Sequence, residues 1–168
     1  ISKYFDKSEI LCGKDATVDK FKNQYQKFDI LHFACHCQFL VNNPLFSHIM
    51  LRSVNGEKYR FSILDIMRLN LQNTKLIVLS SCETAKGKID ITDEITCVAR
   101  AFLSAGAKSL IVTLWEVDDK ITAELMQEMY LQMKNGNTPS TSLRLAQLKI
   151  MQKYKNPYYW AAFQYIGI

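Results

Sequence analysis

The sequence predicts an α/β protein built on a mainly parallel sheet with helices on both faces. Three apolar runs carry the prediction: "DILHFA", "LIVLS" and "LIVTLW". Each is continuous rather than alternating, as expected for strands buried on both faces. Long stretches with helix start and stop signals separate them, which suits the crossovers that parallel strands require. The elements follow in order. Thr17 can cap a short helix running to about Tyr25. "FDILHFAC", residues 28–35, reads as the first buried strand, and "IMLRSVNGEKYRF" as a hairpin around Asn55-Gly56. Ser62 begins a short helix with Asp65 three positions on, a capping pattern. "KLIVLSSC" supplies the second buried strand, residues 76–80. Thr92 is placed as the cap of the next helix, which Gly106 stops. "KSLIVTLW" is the third buried strand. "DDKITAELMQEMYLQMKNG" is an amphipathic helix ending near Gly136, and Met126, Met129 and Met133 sit on its core side at helical spacing. Thr138-Pro139 opens another helix to about Tyr154, and "WAAFQYIGI" closes the chain as a strand.

A chain of 168 residues, 48% hydrophobic and 22% charged, fits one domain with a sizeable core. It starts at Ile1 rather than Met, which points to residues 1–168 as a single domain taken from a longer protein. No run of about 18 apolar residues is present, so no membrane span is expected, and nothing at the N-terminus reads as a signal peptide. The five cysteines are odd in number and most lie in apolar segments. Free thiols in a reducing, cytoplasmic setting follow, with no disulfide. The net charge of +5 comes from scattered lysines. These read as solvated helix faces, and direct nucleic-acid binding is not expected.

In open parallel sheets, sites form beyond the carboxyl ends of the strands. That rule singles out His36, Cys82 and the acidic trio Glu116, Asp118 and Asp119. The cluster His32, Cys35, His36 and Cys37 has zinc-ligand chemistry. Strand alternation, however, sends the histidines one way and the cysteines the other, so neither a metal nor a cofactor is expected. Cys35 and Cys37 form a CxC on a strand end, which is not the CxxC of a redox helix. A Cys–His pair is different. His36 and Cys82 end two long buried strands, and adjacent strands lie about 4.8 Å apart, so a thiol and a base can meet above the sheet. The bland alternative is a small buried Cys82. His32 reads as a buried mid-strand residue bonded locally, His48 as a surface or edge histidine, and Cys12 and Cys97 as packing residues. Asp118 and Asp119 also have a structural reading, as caps of the following helix.

"DILHFACH", "LIVLSSCETAKG", "VARAFLSAGAKSLIVTLWEVDD" and "NPYYWAAFQYIG" resemble the signature segments of CHAT domains. These are caspase-like domains, similar to separase and usually attached to tetratricopeptide repeats. The resemblance runs from about Thr17 to Ile168. It implies a caspase-like α/β fold and a His–Cys dyad, with the motif histidine at His36 and the motif cysteine at Cys82. It further implies cysteine endopeptidase activity on a protein substrate, with an oxyanion hole from the backbone amides of Cys37 and Cys82. The tract "WEVDD" matches the acidic region that separase uses for a basic residue before the cut, which implies substrate contacts from Glu116, Asp118 and Asp119. An N-terminal repeat region is the implied regulator. Two departures stand out. The family carries Gly where this chain has Cys37, and often Gly-Leu where it has Ile95 and Thr96. The rival reading is a caspase-like scaffold or signalling domain with a dead site. Nucleotide binding lacks a phosphate loop, since "SAGAKS" is too short and precedes a strand.

Overall fold

A computed structural model describes residues 1–38, 40, 43–80 and 91–167, with residues 91–96 described by their backbone alone. Among the described residues, two sheets organise the fold. Strands β1 (Ile30–Phe33), β5 (Leu76–Leu79), β6 (Ser109–Thr113) and β7 (Phe163–Gly167) form a four-stranded sheet in the order β1-β5-β6-β7. β5 pairs in parallel with both β1 and β6, and β7 closes the far edge antiparallel to β6. A smaller antiparallel sheet has the order β2-β3-β4, from Cys37–Gln38, His48–Arg52 and Lys58–Ser62. The helices are α1 (Val18–Gln24), α2 (Ile63–Met67), α3 (Ile91–Ser104), α4 (Asp119–Lys134) and α5 (Pro139–Lys153).

The two faces of the large sheet build two cores. On one, Leu31, Phe33, Ile77, Leu79, Leu110 and Val112 meet α1, α2, α3 and the small sheet. On the other, Leu76, Val78 and Ile111 meet α4 and α5. Burial on both faces is why every residue of β5 and β6 is buried, and hence why their sequences read as unbroken apolar runs. The mainly parallel α/β architecture with helices on both faces is therefore present, and it is caspase-like.

Local chemistry fixes most boundaries. The Thr17 hydroxyl accepts the Lys20 amide at the start of α1. Ser62 and Asp65 form a reciprocal capping box on α2. Thr138 caps α5 with Pro139 in its first turn. Gly56 turns the β3–β4 hairpin at φ 82°. Gly106 ends α3 at φ 108°, and a Cβ there would lie 2.9 Å from the Gln72 amide nitrogen. Met126 and Met129 are fully packed in the second core and Met133 lies at its edge, as their spacing indicates. Ion pairs Glu128–Lys149 (2.6 Å) and Glu124–Lys153 (2.7 Å) clip α4 to α5 across the surface.

Several expectations are corrected. β1 stops at Phe33, not at residue 35, because the chain turns away to start β2. Alternation therefore does not run through to Cys37. α3 begins at Ile91, so Thr92 lies inside it rather than capping it. His48 is buried, not at the surface. It stands on the central strand of the small sheet, paired with Gln38 and Ser62, and its Nδ1 contacts the Phe46 carbonyl at 3.0 Å. Cys12 is exposed and packs nothing in the core.

Candidate functional site

The sheet brings three carboxyl ends level. Phe33 of β1 pairs with Leu79 of β5, and Leu79 pairs with Val112 of β6. The Ser80 amide extends this ladder to the Phe33 carbonyl at 3.1 Å. His36 stands three residues beyond Phe33, and in sequence Cys82 stands three residues beyond Leu79. Cys82 and its backbone amide lie outside the described residues.

His36 is exposed, and its backbone is fixed where β2 begins. The Met50 amide donates to the His36 carbonyl at 2.8 Å. That bond makes Cys37 and Ile49 a non-hydrogen-bonded pair of the antiparallel ladder, in which N–H groups point away from the partner strand. β2 is an edge strand, so the Cys37 amide is directed off the sheet edge. Its side chain goes the other way, into the first core, where the residue is 3% exposed. Among the described residues no non-glycine has positive φ, so Cys37 needs none of the conformational freedom of the glycine usual there. Side chain and amide serve separate ends, which is how a cysteine fits this position.

The four described cysteines are thiols with different surroundings. Cys35 packs against the first core, and burial pushes its thiol up to about 11, so it stays protonated at neutral pH. The Cys37 sulfur donates to the Cys35 carbonyl at 3.6 Å. Cys97 lies half-buried on α3.

His32 faces the other way, into the second core. Its Nδ1 meets the Tyr130 hydroxyl of α4 at 2.9 Å, and its Nε2 meets the Ser80 hydroxyl at 2.7 Å. The rings of His32 and Tyr130 stack at 5.7 Å. Against the expectation of a buried, locally bonded mid-strand histidine, His32 is half-buried, next to the last residue of β1, and its partners are distant in sequence. Burial drops its pKa to about 4. A lowered histidine pKa means that the unfolded chain takes the proton first. Stability therefore falls as pH drops from about 6.5 towards about 4, by a total on the order of 3 kcal/mol. Urea titrations at pH 7, 5 and 4 should show this loss, and His32→Gln should remove most of it. An unchanged pH slope in that variant would place the acid sensitivity elsewhere.

The acidic trio follows β6 on the same edge, and all three residues are exposed. Asp118 caps α4: its Oδ1 accepts the amides of Lys120 at 2.9 Å and Ile121 at 3.2 Å. Asp119 occupies the first turn of α4, where the helix dipole favours a carboxylate. Glu116 is held by its backbone, since the Tyr158 hydroxyl donates to its carbonyl at 2.5 Å. The Trp115 indole donates back to the Tyr158 carbonyl at 2.9 Å, and the two rings stack at 6.3 Å. These reciprocal bonds tie the 3₁₀ turn Pro157–Tyr159 to the acidic loop.

Tyr130, Ser80, Trp115 and Tyr158 went unnoticed in the sequence. Only Ser80 had a signal: His32 pairs with Val78, and two residues on is the same face.

The mainly parallel sheet flanked by helices defines the class, a caspase-like α/β domain, and His36 and the acidic trio are exposed beyond the C-terminal ends of its strands. The chain belongs to the CHAT domain family, whose model matches residues 1–168, and that family is related to caspase-like cysteine peptidases. Mouse (Mus musculus) tetratricopeptide repeat protein 28 is 37% identical over 106 residues, and its human (Homo sapiens) counterpart is 34% identical over 106. Each match covers 61% of this chain and 4% of the relative. Among the described residues no helix is long and apolar enough to cross a membrane.

Proposed function

We propose that this domain is a cysteine endopeptidase in which Cys82 is the nucleophile and His36 the acid–base partner. The observation that supports this most is the level register of the β1 and β5 ends, with His36 exposed just beyond one of them. The Cys82 thiolate attacks the scissile carbonyl and forms a C–S bond. The breaking C–N bond releases the amine, which takes its proton from His36. Water, deprotonated by His36, then cleaves the thioester. The amides of Cys37 and Cys82 stabilise the oxyanion, and the direction of the Cys37 amide suits that role.

The substrate is a protein with a basic residue before the cut. Asp118 uses its Oδ1 in capping, which favours Asp119 as the carboxylate for that cation, with Glu116 from the same loop as a second candidate. A charge-assisted bond favours Lys or Arg over neutral residues. The relatives' names support a tetratricopeptide repeat region in the full protein, and we assign the control of activity to it. The free thiols of the four described cysteines support a reducing, cytoplasmic setting as part of this reading.

The test is a peptide series differing only before the cut, assayed with the full chain and with Cys82→Ala as the blank. Lys or Arg should exceed Asp in kcat/KM by about 30-fold or more. A preference for Asp would overturn the role of the acidic loop and leave the dyad standing. No cleavage by the full chain with its repeat region would favour the scaffold reading.

A further inference from the structure

Beyond the dyad, the chain has a second histidine at this edge that the chemistry above does not use. His32 is bonded through both ring nitrogens, to Tyr130 of α4 and Ser80 at the end of β5. The direction of these bonds can be worked out. Tyr130 is 1% exposed, and among the described residues its hydroxyl has only His32 to bond. A buried O–H must donate, so Nδ1 accepts. The ring proton then sits on Nε2 and is donated to the Ser80 oxygen, which frees the Ser80 hydroxyl hydrogen to be donated onward. Ser80 stands two residues before Cys82 in sequence, and its amide is already bonded to β1.

We propose that His32 is a positioning residue, which fixes the end of β5 ahead of the nucleophile by relaying one hydrogen bond from Tyr130 to Ser80. The inference rests on the assignment of Cys82 as nucleophile. It requires a neutral ring, and burial keeps the ring neutral well below pH 6. The groups facing His32 are Tyr130 from α4 and Ser80 from β5. Protonating Nδ1 would set a donor against the Tyr130 donor and break the relay.

The test reads alkylation of Cys82 by iodoacetamide in the full chain, resolved by mass spectrometry, together with the nitrogen NMR shifts of the His32 ring. This readout needs no peptide cleavage, so it stands apart from the failure of the peptidase reading. His32→Leu and Ser80→Ala should each slow alkylation about tenfold at pH 7, the worth of one hydrogen bond. His32→Gln, which keeps a donor near the Nε2 position, should recover most of the rate. The NMR shifts should place the proton on Nε2. A proton on Nδ1, or unchanged Cys82 alkylation in both His32→Leu and Ser80→Ala, would overturn the proposal. If His32→Leu does not fold, Ser80→Ala and the NMR shifts still decide it.

Discussion

If the proposed dyad operates, Cys82→Ala is expected to remove peptide cleavage entirely and His36→Ala to lower kcat/KM by about 10²–10⁴. An unassisted thiol has a pKa of about 8.5, so only a few per cent is thiolate at neutral pH. A base nearby raises that fraction and then returns the proton to the leaving amine. His36 is exposed, beyond the end of β1, so its removal leaves no core cavity. Thermal unfolding of His36→Ala should therefore match that of the parent to within about 0.5 kcal/mol while activity collapses. Cys37→Gly gives the opposite pattern. The amide assigned to the oxyanion hole is retained, so kcat should change less than about threefold. Stability should fall by about 1–2 kcal/mol, because the side chain leaves the first core. Steady-state kinetics beside denaturation curves separate the two. Parallel losses of activity and stability in His36→Ala would make the residue structural.

Phe102→Ala should produce the largest loss of stability, about 3–5 kcal/mol. Phe102 is 0% exposed and lies in the first core on α3. Its ring centroid is 5.9 Å from that of Phe33, the last residue of β1. α3 follows the segment that carries Cys82, and the Leu71 amide reaches the Ala105 carbonyl at 2.8 Å from the opposite side. Removing the ring opens a cavity between that helix and the strand end that leads to His36. Urea midpoints should shift far more than in His36→Ala. A cost below about 1.5 kcal/mol would show that α3 collapses onto the gap.

Features encoded within a few residues were legible beforehand. Thr17, Ser62 with Asp65, and Thr138 each cap the helix that their local pattern announces. Gly56 and Gly106 sit where the backbone demands positive φ. The buried strands β5 and β6 were legible because both faces are covered, which leaves an unbroken apolar run. What escaped depends on distant pairing. His48 looked peripheral because nothing near it in sequence says that β3 is flanked by both β2 and β4. His32 looked local because Tyr130 reaches it only when α4 docks on the sheet, 98 residues later in the chain. At the candidate site, His36 was readable as a strand-end residue. Which of Asp118 and Asp119 serves as the cap was not, since only the start of α4 decides it. The length of β1 was overestimated because its apolar run continues through the turn into β2, where Cys37 enters the same core as Leu31 and Phe33.

The most direct measurement is covalent labelling with a peptidyl acyloxymethyl ketone carrying lysine at the position before the reactive group. The protein is the full chain at neutral pH, and the site is read by mass spectrometry. The expected result is an adduct on Cys82 that is slowed strongly by His36→Ala and lost in Cys82→Ala. Cys35 should stay unlabelled, because burial holds its thiol protonated. An adduct spread over exposed Cys12, with Cys82 unmodified and no effect of His36→Ala, would contradict the dyad.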